Sequence, residues 1–211
     1  MIMDDYLNDV RYALHCLITL VWKERKELQL LITKKKEYFK KLEDNKRVIE
    51  FLSQNPDLDD EGIVNFSYWE SKDIIPELNA NEKIIIKLKE EIKNKQYSID
   101  LLASSILQIV KQGISRVFSN LEFCSDGRAI NTISLKEIIW HGRNQGLHFE
   151  LGPNFHPATI KFFTKLKSQF PERFDEFQTK NMSFKILEIL GWKTFNDIKL
   201  DMLSFMKHSK M

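Results

Sequence analysis

From Asp4 to about Ser53 the chain contains no Gly or Pro, and apolar residues return every three or four positions. Val10, Leu14, Leu17, Val21, Leu28, Leu31, Ile32, Tyr38, Phe39, Leu42, Ile49 and Leu52 follow the helical step, which predicts one very long helix or two with a bend. The section Lys34 to Arg47 is so charged that it is expected to project beyond the core. Ser53-Gln54-Asn55-Pro56 should stop the helix. An acidic connector follows, with a short apolar piece around Phe66, Tyr68 and Trp69. Asn81 is then the expected cap of a second long helix through Ile85, Leu88, Ile92, Ile99, Leu102, Ile106, Ile109 and Val110, continuing towards Phe118 and Leu121. Two such helices joined by a connector would pair antiparallel as a helical hairpin. On pattern alone, the hairpin reads as a coiled-coil scaffold with no chemistry of its own.

Beyond the hairpin, Ser125-Asp126-Gly127 should turn the chain. Ser134 with Glu137 three residues later is a capping-box signature that opens a helix through Ile138 and Ile139. After Gly152-Pro153, His156-Pro157 leads into the apolar-periodic run Ile160, Phe162, Phe163, Leu166. Pro171 is expected to open a short helix with Phe174 and Phe177. Ser183 is the expected cap of "FKILEIL", which should stop at Gly191. Trp192 and Phe195 precede a last helix, Ile198 to Met206. No segment alternates as a strand does, and there is no internal repeat, P-loop or dinucleotide fingerprint. The fold class is therefore all-α: an antiparallel helical bundle with two extended N-terminal helices. It is read as a single domain over 1–211, with the hairpin from 4–53 and 81–122 and the motif-bearing and C-terminal helices over 134–211.

Composition supports a globular helical protein. The 211 residues are 43% hydrophobic and 29% charged, with only seven Gly and five Pro. The net charge of +2 neither demands nor excludes a polyanionic partner. Its distribution is uneven: residues 23–47 hold ten Lys and Arg against five acids, and residues 48–82 hold nine acids against one base. Such blocks usually mark solvated helix faces. Cys16 and Cys124 have neither metal-ligand spacing nor a secreted framework, and are expected as reduced, packed thiols. The start Met-Ile-Met-Asp-Asp lacks the basic residues and apolar run of a signal peptide. The apolar patch Ala13 to Trp22 is too short to span a bilayer. A soluble, cytoplasmic protein with no membrane association is expected.

The candidate chemistry is concentrated in "WHGRNQGLHFELG", residues 140–152, which holds two His, an Arg, an Asn, a Gln and three of the seven glycines. On a helix, His141, Asn144 or Gln145, and His148 share one stripe. Arg143 and His148 are five residues apart, about 140° around the axis, so only the reach of the guanidinium could bring both heads to one ligand. Gly142 and Gly146 would thin the helix surface for the approach of another backbone or an RNA strand. His141 and His148 lie about 10.5 Å apart along the axis, too far to share an ion. Neither a metal nor a cofactor is expected. The stretch has no serine or cysteine for a nucleophilic triad. A proton-transfer residue and a cation beside an amide remain, a set that suits an anionic substrate such as a phosphodiester. The bland alternative pairs Arg143 with a carboxylate, uses Asn144 to cap backbone groups and leaves both histidines satisfied near a helix end.

Arg143-Asn144-Gln145-Gly146-Leu147-His148 resembles the Arg-Asn-three residues-His motif of the HEPN family (higher eukaryotes and prokaryotes nucleotide-binding). These are all-α proteins, many of them metal-independent endoribonucleases that act as toxins or in phage defence. The resemblance implies that Arg143 holds the scissile phosphate or stabilises its developing charge. It makes His148 the general acid or base while a ribose 2′-hydroxyl attacks, and Asn144 the residue that orients them. His141, just upstream, is a candidate assistant outside the motif. Because family sites form where two motifs meet and this chain has one, a homodimer acting on RNA is implied, with an antitoxin or regulatory protein as a further candidate partner. Arg116, Arg128 and Lys136 are the basic residues expected beside Arg143 along an RNA groove. Glu150 stands where some family toxins carry a tyrosine that a nucleotidyltransferase antitoxin modifies. The alternative reading is a HEPN-fold interaction or nucleotide-binding module without catalysis.

Overall fold

A computed structural model describes the backbone of residues 2–54, 61–118 and 121–206, and the side chains there except at 52–54, 61–71, 121 and 151–153. Asn55, Pro56 and the side chains of Leu52, Phe66, Tyr68, Trp69 and Leu121 lie outside the described residues. Two long helices, α1 (Met3–Gln54) and α2 (Glu61–Val117), pack as a hairpin, and a short β-hairpin follows, β1 (Ala129–Ile130) with β2 (Ile133–Ser134). Among the described residues four shorter α-helices follow: α3 (Leu135–His148), α4 (Pro157–Gln169), α5 (Ser183–Leu190) and α6 (Phe195–Ser204). None of the described helices is long and apolar enough to cross a membrane.

The chain divides into two compact units, Lys26–Gln96 and Met1–Arg25 with Tyr97–Met211. In the Lys26–Gln96 unit the helices run antiparallel, with Lys95 2.8 Å from Glu27 and Lys46 3.8 Å from Glu82. Buried and half-buried positions repeat there in steps of three and four, through Leu28, Leu31, Lys35, Tyr38, Leu42 and Asn45 on α1 and Ile74, Leu78, Asn81, Ile85 and Leu88 on α2. Helix α2 begins at Glu61 and not at a cap on Asn81, so the acidic stretch 61–80 is helix where a connector was expected. Asn81 occupies a core position, 5% exposed. The helix continues through Pro76, although an internal proline removes a hydrogen bond and crowds the preceding turn. Phe39, expected in the apolar face, is 50% exposed.

In the second unit, Tyr6, Leu14, Ile18 and Val21 of α1 share a core with Ile99, Ile106, Leu107 and Val110 of α2. The Tyr6 hydroxyl donates to the Ile109 carbonyl at 2.6 Å, and the Trp22 indole donates to the Trp192 carbonyl at 2.8 Å. At α5 the Gly191 C-cap has φ 70°, the left-handed conformation a glycine adopts without strain. Arg128 holds the α5–α6 corner by a two-pronged bond to Asp201, at 2.7 and 2.9 Å, and a third to the Leu190 carbonyl. The buried Trp192 indole donates to the same carboxylate.

Two expectations fail in this unit. Residues 171–180 form a succession of turns, not a helix, because Glu172 adopts φ 68° directly after Pro171. Phe174 and Phe177 are nonetheless buried, against Phe163. Ser183 is the first residue of α5, not its cap; Met182 is the N-cap. The Asn181 side chain instead accepts from the Ser183 backbone N–H at 2.8 Å. The expected last helix, Ile198 to Met206, runs from Phe195 to Ser204, started by a capping box of Thr194 and Asp197.

Candidate functional site

Helix α3 starts as its sequence requires. The Ser134 hydroxyl accepts from the Glu137 N–H, and the Glu137 carboxylate accepts from the Ser134 N–H. The buried face is Leu135, Ile138, Ile139, Gly142, Gln145 and Gly146. Both glycines of this face receive the chain's own helix α5: a Cβ on Gly142 would press on Ile186, and one on Gly146 would collide with Ser183. They therefore serve internal packing, not the approach of an RNA strand. Gln145 is fully buried, and its amide is satisfied three times. It donates to the carbonyls of Phe177 and Lys180 at 2.7 and 2.6 Å and accepts from the Met182 N–H at 2.9 Å. The Gly146 carbonyl, an orphan of the last turn, accepts from Asn181 at 2.9 Å.

With that face buried, His141, Arg143, Asn144 and His148 are left half-buried or exposed on the other side. Among the described residues Arg143 makes no carboxylate pair. Its Nε donates to Gln108 Oε1 of α2 at 2.5 Å, and one terminal nitrogen donates to Asn144 Oδ1 at 3.1 Å. Both acceptors are neutral, so the guanidinium charge is oriented but not neutralised. One turn along α2 from Gln108, Lys111 places its Nζ 4.3 Å from the centre of the Trp140 ring. Burial lowers the Lys111 pKa, and the nearby charge of Arg143 lowers it further. Among the described residues, no carboxylate pairs with either cation. Two like charges held this close repel each other unless an anion joins them.

Around the other side of Asn144 an open cleft of about 310 Å³ is lined by Asn144, His148, Phe155, His156 and Thr159. Asn144 thus touches Arg143 on one side and shares the cleft with His148 on the other. His141 lies behind this cleft, stacked on Phe162 at 4.8 Å, with its Nδ1 3.4 Å from the Thr159 hydroxyl. Burial lowers its pKa; Glu137 opposes the shift and His156 adds to it. Among the described residues no cluster of three or more His, Cys, Asp or Glu is arranged to hold a metal ion.

No family model, curated protein or solved structure matches the chain. The site has to be read from its own residues. Of the basic residues expected along a groove, Arg128 is engaged by Asp201 and Lys136 by Asp126 at 2.8 Å, so both are internal ties. Arg116 is exposed near the end of α2. Cys16 is exposed, not packed, whereas burial pushes the Cys124 thiol up to about 11. Gln108, Lys111 and His156 escaped the sequence reading. The first two sit among the apolar residues of a helix that looked like scaffold, and His156 looked only like the residue before a helix-opening proline.

Proposed function

We propose that this protein is a metal-independent endoribonuclease of HEPN type, a toxin or defence effector. It would cut RNA by 2′-hydroxyl attack at a site completed by a second copy of the chain. The observation that carries the reading is Arg143, held by two neutral amides beside Lys111, with no carboxylate among the described residues to cancel either charge. A guanidinium oriented and left charged is suited to a phosphodiester, which it can meet with two parallel hydrogen bonds. The bland alternative, Arg143 paired with a carboxylate and Asn144 used on backbone, does not describe these contacts.

The placement of these residues supports the following roles. Arg143, with Lys111 beside it, holds the scissile phosphate and stabilises charge as it gathers on the phosphoryl oxygens. His148, exposed at the end of α3, takes the 2′-hydroxyl proton and returns it to the departing 5′-oxygen. Asn144 fixes Arg143 relative to the cleft. His141, stacked and bonded to Thr159, supports the cleft wall and moves no proton. RNA is the substrate because the attacking group is its own 2′-hydroxyl; DNA should be inert. Glu150 is exposed and is not a residue that a nucleotidyltransferase would modify as it does tyrosine.

The test is to incubate the pure protein with total cellular RNA in EDTA and sequence the ends. Products with 2′,3′-cyclic phosphates and 5′-hydroxyls are expected. His148→Ala should lower the rate about 10²- to 10⁴-fold, and Arg143→Ala about 10²- to 10³-fold. Cleavage that EDTA abolishes and manganese restores would overturn the mechanism. A folded His148→Ala protein that cuts at the wild-type rate would overturn the site.

A further inference from the structure

His156 enters the cleft from outside α3, at the start of α4, and its ring is held in a defined way. Its Nδ1 accepts the Ala158 backbone N–H at 3.3 Å, so His156 is the N-cap of α4, with Pro157 fixing the first helical residue. A ring nitrogen that accepts a hydrogen bond carries no proton. In the capped state the ring is therefore the neutral tautomer with its one N–H on Nε2. That nitrogen is the one not engaged by the cap, and His156 lines the cleft together with His148, Asn144 and Thr159.

The other groups of the cleft have the same polarity. Asn144 Oδ1 is taken by Arg143, which leaves its amide N–H groups as what it offers a ligand. Thr159 supplies a hydroxyl 3.4 Å from His141 Nδ1, and the His141 tautomer decides which of the two donates. None of the five lining residues is a carboxylate. A cleft with N–H and O–H donors and no fixed negative charge accepts an anion.

We propose that His156 is a substrate-contacting residue of this cleft, whose neutral Nε2–H donates a hydrogen bond to a non-bridging oxygen of the phosphodiester. The inference rests on the ribonuclease reading for its substrate class, and it adds a donor supplied by a second element. The bond strengthens as negative charge builds on the phosphoryl oxygens while the 2′-O–P bond forms and the P–O5′ bond breaks. His156 neither gains nor loses a proton in that step; the 2′-proton passes through His148 to the 5′-oxygen.

His156→Asn separates the two duties of the ring. Asparagine is a favourable N-cap whose Oδ1 replaces Nδ1 as the acceptor for Ala158, but it lacks the Nε2–H. The expected result is an unchanged thermal midpoint with kcat on an oligoribonucleotide lowered about 10²-fold, the lower end of the range for losing one stabilising donor. His156→Ala should lower both midpoint and kcat. In the wild type, titration with a nucleoside 3′-monophosphate should shift the His156 Nε2 signal in nitrogen-15 spectra. Wild-type cleavage by His156→Asn, or an Nε2 signal that stays still while the Asn144 amide moves, overturns the inference. An Nε2 signal that moves in a protein that cuts no RNA keeps the contact and removes the ribonuclease reading.

Discussion

At the scale of single residues, His141 shows how placement separates a working histidine from a supporting one. Its ring is half-buried against Phe162, and burial lowers its pKa below the ordinary value. The folded protein therefore binds that proton less readily than the unfolded chain does. Stability rises with pH wherever the unfolded state holds more protons. The contribution of neutral His141 is thus complete above the unfolded value, about 6.5, and is lost as pH falls through it towards the lowered folded value. Urea midpoints measured from pH 7.5 to 5 should fall for the wild type and fall less steeply for His141→Gln. Equal slopes would mean that His141 is not held neutral by the fold. The sequence grouped Arg143, Asn144 and His148 only through their resemblance to the HEPN motif, since Arg143 and His148 lie about 140° apart on a helix. It could not rank their neighbours. Gln145 has the same hydrogen-bonding groups as Asn144, yet it lies on the buried side and ties down the loop before α5. The step Leu135, Ile138, Ile139 leads on to Gly142, Gln145 and Gly146 and marks the buried side, but what packs there is α5, some forty residues later, and no local pattern carries that.

The scale of elements brings in close packing. A methyl group at Gly146 has no room between Ser183 and Ser104, and moving α5 away would break the Ser104–Ser183 bond at 2.8 Å and the Asn181 contacts. Gly146→Ala should therefore destabilise the protein by about 1–3 kcal/mol, the usual cost of overpacking, and lower activity through a displaced His148. A Gly146→Ala protein as stable as the wild type in urea would contradict this packing. The opposite sign is expected in the hairpin. Asn45 and Asn81 each bury an amide nitrogen that finds no hydrogen-bond partner among the described residues. An unsatisfied buried donor costs about 1–3 kcal/mol, so Asn81→Leu should raise the urea midpoint, and a lowered midpoint would count against this placement. The same residue shows where element boundaries were legible. The cap at Ser134, whose partner Glu137 lies three residues away, could be read directly. Asn81 has the side chain of a cap but lies buried within α2, so tertiary contact decided its role. Likewise Pro171 has the look of a helix start, but Glu172 turns the backbone left-handed at the next residue.

For the whole molecule, the long-range pattern was the most legible part: two 3-4 repeats, the first read as one long helix or two with a bend and the second as a helix from Asn81, are two long helices packed as a hairpin. The assembly is the part left to test. A chain with one Arg143 and one His148 supplies half of a two-motif site, so the proposed activity requires a closed two-fold dimer. The surface beside the motif has an apolar residue suited to such a contact: Leu147, between the buried Gly146 and the exposed His148, is 36% exposed. A stable dimer should bury more than about 1,000 Å² in total, and a charge at the centre of that contact would oppose it. Sedimentation velocity at micromolar concentration should show a dimer for the wild type and a monomer for Leu147→Glu. Specific activity should fall for Leu147→Glu, and it should fall for the wild type on dilution in parallel with dissociation. The His148→Ala protein should remain dimeric, which separates loss of chemistry from loss of assembly. A wild-type monomer with full specific activity would place the whole site in one chain, with His156 and Lys111 completing what the second copy was proposed to supply.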